Sequence, residues 1–152
     1  MKKVIISALV VVIVNSVNAQ SLTGKWQEGT PEVTSGYFNT YQFIDDSTFL
    51  FSLNQYFGLK RIVSIGGKYK YNKKGGVLSL TVEFTNEIIG GTIERSEESG
   101  EATDRWGITG GELKKIKLVK PVKAVIKVEF TKSDKEDSEL VLLDKKKYYK
   151  VE

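Results

Sequence analysis

From residue 22 onward, apolar and polar positions alternate with a period of two, the spacing of a β-strand that has one buried and one wet face. In the run from Val77 to Phe84, Leu78, Leu80, Val82 and Phe84 fall on one face, and Ser79, Thr81 and Glu83 on the other. The run from Val122 to Phe130 repeats this, with Val122, Ala124, Ile126, Val128 and Phe130 expected inward and Lys123, Lys127 and Glu129 outward. Pro121 lies just ahead, at the kind of strand start where proline is tolerated. Similar runs cover 22–27, 37–44, 48–53, 61–71, 88–95, 113–119, 139–143 and 147–151. Together they predict about nine or ten short strands and no amphipathic helix.

Turn residues separate the runs at hairpin spacing: Asp45-Asp46-Ser47, then Asn72-Lys73-Lys74-Gly75-Gly76, then 132–138. Each predicts an antiparallel connection. Many short strands in one block predict an all-β domain over residues 20–152, folded as an antiparallel up-and-down β-barrel of about 8–10 strands. The stretch 96–112 breaks the rhythm. It is polar and glycine-rich, carries Trp106, and is expected to be a long loop, the kind that often serves as a lid or binding loop. Trp106 then reads either as a plug tucked against the barrel or as a ligand contact. The plug is favoured because large aromatics in small domains are mostly core.

The first nineteen residues follow a different rule. Lys2 and Lys3 precede an apolar run from Val4 to Val14 interrupted by Ser7, and Val17-Asn18-Ala19 ends in small residues, the tripartite form of a secretory signal. As a helix the apolar run would span roughly 16 Å, well short of the about 30 Å of a bilayer core. The expectation is therefore cleavage after Ala19 and a secreted or periplasmic protein with no stable membrane insertion. No Cys is present to carry a lipid.

Composition narrows the chemistry. The chain has no Cys and no His. Its fold is therefore not stapled by disulfides, thiol and Ser/His/Asp catalysis are excluded, and metal or haem sites lose their usual ligands. No metal and no cofactor are expected. The net charge of +4 includes the two leader lysines, too little for a nucleic-acid binder by bulk charge. Asp45-Asp46 reads as turn chemistry rather than a Ca²⁺ site. Glu83 and Glu129 point outward, so no catalytic carboxylate pair is in view and the chain reads as a non-enzyme.

The segment Leu22-Thr23-Gly24-Lys25-Trp26 resembles the Gly-x-Trp first strand of the lipocalin and calycin group. Tyr41 to Phe49 is similar to a hairpin common in bacterial lipocalin-like proteins, Gly67-Lys68-Tyr69 to their Gly-x-Tyr strand, and 140–150 to their closing hairpin. The resemblance implies a barrel closed at one end by Trp26, with Gly24 allowing close approach. It also implies a residue from the last strand stacked across that Trp. The family uses Arg there, whereas this chain offers Lys145, Lys146, Lys147 and Lys150.

Aromatics concentrate in the first hairpin. Tyr41 and Phe43 share one strand face, Phe49 and Phe51 share the next, and pairing these strands brings four rings together. This is either a packed core or, with Tyr69, the wall of a pocket for a small apolar ligand. Tyr56, Phe57 and Trp106 are candidates for ligand contact at the rim or, in the alternative function, for contact with a protein partner. Lys145-Lys146-Lys147 reads as a solvated guard of a sheet edge. Expressed with its leader in a bacterial host, the exported protein should begin at Gln20 on N-terminal sequencing. An intact Met1 in the membrane fraction would contradict the leader reading.

Overall fold

The computed structural model describes residues 21–32, 37–55, 58–95, 106–135 and 138–151. The leader, Tyr56, Phe57 and the polar stretch 96–105 lie outside the described residues. The described chain contains strands and no helix: β1 (Gly24–Glu28), β2 (Thr40–Phe43), β3 (Thr48–Ser52), β4 (Ile62–Asn72), β5 (Val77–Ile89), β6 (Thr92–Arg95), β7 (Trp106–Thr109), β8 (Glu112–Thr131), β9 (Leu140–Leu143) and β10 (Lys146–Lys150). Eight of them form one antiparallel sheet that closes on itself in the order β1-β2-β3-β4-β5-β8-β9-β10, with β10 bonded back to β1. Neighbours in the ring are neighbours in the chain, save that the β6–β7 hairpin is inserted between β5 and β8.

Local chemistry sets the turns. The Asp45 carboxylate accepts hydrogen bonds from the Ser47 and Thr48 amides at 2.7 and 2.6 Å and from the Ser47 hydroxyl at 3.0 Å, fixing the β2–β3 turn. The β9–β10 turn has no glycine. Asp144 and Lys145 both take positive φ, 48° and 70°, the backbone of a two-residue hairpin with the twist of its strands. Asp144 is tied to Lys127, whose amide donates to its carboxylate at 2.8 Å and whose carbonyl accepts its N–H at 2.9 Å.

The ring is filled from within. Trp26 is fully buried, its Nε1 donates to the Leu22 carbonyl at 2.6 Å, and its ring meets Phe130 edge-on at 6.2 Å. Lys150, paired with Trp26 across β1 and β10, holds its Nζ 5.8 Å from the centre of the indole ring. Phe43, Phe49, Leu78, Leu80, Val128, Val141 and Leu143 complete the packing.

Several strand limits differ from the sequence reading, and most differences trace to one place. Between Gly67↔Val82 and Gly66↔Phe84, β5 carries an extra residue, Glu83, with no partner on β4. On the other side of β5, Val82 pairs with Val122 and Phe84 with Lys117, so residues 118–121 of β8 loop out at the same level. An extra residue in a strand reverses the faces of everything after it. Phe84, expected inward, is therefore on the outer face, and Thr85 is buried instead. Pro121 sits inside this bulge, where its missing N–H breaks no ladder. The expected strands 113–119 and 122–130 are consequently one strand, β8.

The expected strand 88–95 is split, because Gly90 and Gly91 turn the chain between β5 and β6. Gly110 and Gly111 stand opposite them before β8, and all four have φ between 71° and 86°. A Cβ at Gly67 would collide with the Thr81 carbonyl. Gly67→Ala should therefore destabilise the protein by about 1–3 kcal/mol in urea denaturation. Gly107→Ala, where the Cβ meets nothing within 4 Å, should stay within about 0.5 kcal/mol.

Candidate functional site

Strand alternation brings most of the predicted aromatic candidates together inside the ring. Tyr41 pairs with Phe51, and Phe43 with Phe49, across β2 and β3. The Tyr41 ring lies 4.4 Å from that of Phe51, 5.7 Å from Phe43 and 5.4 Å from Tyr148. Phe43 meets Tyr69 edge-on at 4.9 Å, and the Tyr69 hydroxyl donates to the Asp45 carbonyl at 2.6 Å. Tyr41, Phe43, Phe49 and Tyr69 are buried, and Phe51 is half-buried against them.

The predicted wall residues thus pack against one another on the inner face of the ring. The phenols there are hard to ionise. Burial, with Asp144 and Glu28 nearby, pushes Tyr41 up to about 12. Burial first and then the Glu28 carboxylate push Tyr148 higher still.

Glu28 is held at this end by the Asn39 amide at 2.5 Å and by Lys146 at 3.1 Å. Asp134 accepts from Lys147 at 2.7 Å and from the Tyr149 hydroxyl at 2.6 Å, bonds that bring it down to about 2. Lys146 and Lys147, expected as solvated edge guards, are therefore engaged with carboxylates. Glu129, outward as expected, pairs with Lys127 at 2.6 Å. Among the described residues no three carboxylates gather in a way that would hold a metal ion.

Trp106 does not behave as a plug. It sits on β7, paired with Arg95, and is 51% exposed. The physical reason is the four-glycine corner. It turns the β6–β7 hairpin onto the 53–60 loop, where the Ile108 amide bonds the Gly58 carbonyl at 3.1 Å and Trp106 meets that loop through its backbone. Between the hairpin, the loop and the start of β4 lies a small cleft of about 230 Å³, lined by Leu53, Asn54, Lys60, Ile62, Ile88 and Ile108.

Two outer features escaped sequence reasoning. The first is a groove of about 440 Å³ over the bulge, lined by Thr48, Lys68, Glu83, Phe84, Lys115 and Lys117. Gly66 makes room there for the Phe84 ring, and the Lys115 Nζ sits 3.7 Å above its centre. The second is the free side of β8. Only residues 128–131 pair with β9, so among the described residues no strand lies beside 112–126 on that side. Val122 and Ala124, on the predicted inward face, are exposed as a result, Val122 at 57%. Val119, Val125 and Leu113 are exposed on the opposite face. The signal in the sequence was the density of lysines between Lys114 and Lys123, unusual for a strand in the middle of a sheet.

Comparison with protein families, curated proteins and solved structures returned no match to this chain. In a phenolate absorbance titration of the seven tyrosines, Tyr41 and Tyr148 should ionise last and only together with unfolding. A raised folded pKa favours the neutral phenol, so this contribution is complete below the ordinary value of 10 and fades as pH climbs through about 12. Tyr41→Phe should blunt the alkaline transition, and reversible titration of all seven tyrosines in the folded state would contradict the burial.

Proposed function

We propose that the chain is an exported, non-catalytic binding module of lipocalin-like architecture that engages a protein partner with its outer surface. One contrast carries this reading. The interior of the ring is occupied by aromatic side chains, while Leu113, Val119, Val122, Val125, Ile93 and Trp106 stand exposed along β8 and the β6–β7 hairpin. Exposed apolar groups in such density are typical of interaction sites. The absence of His and Cys, and the use of Asp45, Glu28 and Asp134 in structural bonds, support a non-catalytic role.

A second reading keeps the small apolar ligand. The cleft beneath the hairpin favours it, since Leu53, Ile62, Ile88 and Ile108 supply an apolar lining and Asn54 and Lys60 a polar end. Its volume of about 230 Å³ is below the about 300 Å³ usual for ligand pockets, so it ranks second.

Native mass spectrometry of the exported protein from its own host discriminates the two. The expected outcome is the mass of the bare chain plus a larger protein complex. A photo-crosslinking residue at Val122 or Trp106 should capture that partner, and one at Gln42 on the opposite wall should not. A co-purifying small molecule with no protein complex would replace the first reading by the second.

A further inference from the structure

β8 is a strand of the ring for only part of its length. Residues 128–131 pair with β9, the Asp144 side chain and backbone bond Lys127, and there the partner chain turns away into β10. From residue 126 back to 122, and again from 117 to 112, β8 is bonded to β5 on one side, and no described residue takes up the backbone groups of the other. Unpaired edges of this length are templates for another strand, and folded proteins ordinarily shorten, cover or charge them. This one carries five lysines and a single carboxylate, Glu112. Lys114 and Lys127 have carboxylate partners in Glu112 and Glu129, whereas Lys115, Lys117, Lys120 and Lys123 make no ion pair among the described residues. Between them stand Val119, Val122 and Val125, exposed on alternate faces.

Resting on the reading of a protein-binding module, we propose that the free edge of β8 is completed by an extended acidic segment of a partner protein, which adds as an antiparallel strand along residues 122–126. The incoming strand would follow the track that β9 leaves at Asp144 and so continue the ring wall. Main-chain hydrogen bonds supply the register and affinity common to strand addition. Val122, Val125 and Ile126 offer apolar cross-strand contacts, and Lys117, Lys120 and Lys123 select carboxylates. The same lysines act against a second copy of this chain, because antiparallel pairing of two such edges sets ammonium against ammonium. A bare edge with exposed valines thus stays single until it meets the opposite charge.

The test uses the intact protein and a synthetic acetylated heptapeptide alternating Glu and Val. Calorimetry should detect binding, and NMR should show shifted, exchange-protected amides within 122–126. Methylating alternate peptide nitrogens of the probe along its pairing edge should weaken binding at least about tenfold, as should replacing Glu by Lys. If heptaglutamate binds as tightly and methylation has no effect, the lysines form a general polyanion patch and strand addition is wrong. Absence of binding, or shifts confined to the β6–β7 hairpin, also overturns it. Crosslinking from Trp106 would still succeed in that case if the wider protein-binding reading holds, so the two failures are separable.

Discussion

The register break shared by β4, β5 and β8 is the constraint on which the remaining features depend. Gly66 and Gly67 let two backbones approach where a side chain could not fit, and Glu83 enters as an unpaired residue. Opposite it, residues 118–121 leave the ladder. A single extra residue reverses the two faces of β5, which sends Phe84 outward under Lys115 and brings Thr85 inward. The groove lies at that level, lined by Glu83, Phe84, Lys115 and Lys117. A regular ladder would have kept Phe84 in the core and the lysines of β8 apart from an aromatic face.

The buried aromatic rings and the exposed apolar groups lie in different parts of the structure. Inside the ring, Trp26 packs on Phe130, and the paired rings of β2 and β3 pack with Tyr148. Each ring buried there contributes apolar area at about 25 cal/mol per Å², and the hydroxyl of Tyr69 donates to the Asp45 carbonyl. No buried side-chain polar atom among the described residues lacks a hydrogen bond. Outside, the apolar groups of β8 and β7 have no such neighbours.

The outer face is not uniformly wet. Gln27, Thr40, Ser64, Leu140 and Tyr149 are buried although they share rows with outward positions. The Gln27 amide donates to the Thr30 carbonyl at 2.7 Å, and Asp134 bonds both Lys147 and Tyr149, so the segments after β1 and after β8 fold back onto this side. These exposed ion pairs are weak in energy, but they direct loops. The acids there are each matched by a lysine, whereas Lys115, Lys117, Lys120 and Lys123 of β8 make no ion pair among the described residues.

How much was legible in the sequence follows from range. Alternation over a few residues predicted the strands, and Asp45 and Gly75-Gly76 predicted turns, because each is decided by contacts within a hairpin; Gly90-Gly91, read as part of a strand, turn the chain instead. The four rings of the first hairpin met as expected for the same reason. Phe84 was misassigned, the strand at 122–130 was cut short at Pro121, and Trp106 was taken for a plug, because each depends on partners distant in sequence. By itself the sequence determined an all-β chain with one apolar and one polar face per strand. Tertiary structure alone decided where the ladder slips, since a bulge is set by which backbone a strand meets, and with it which face each residue finally turns to water.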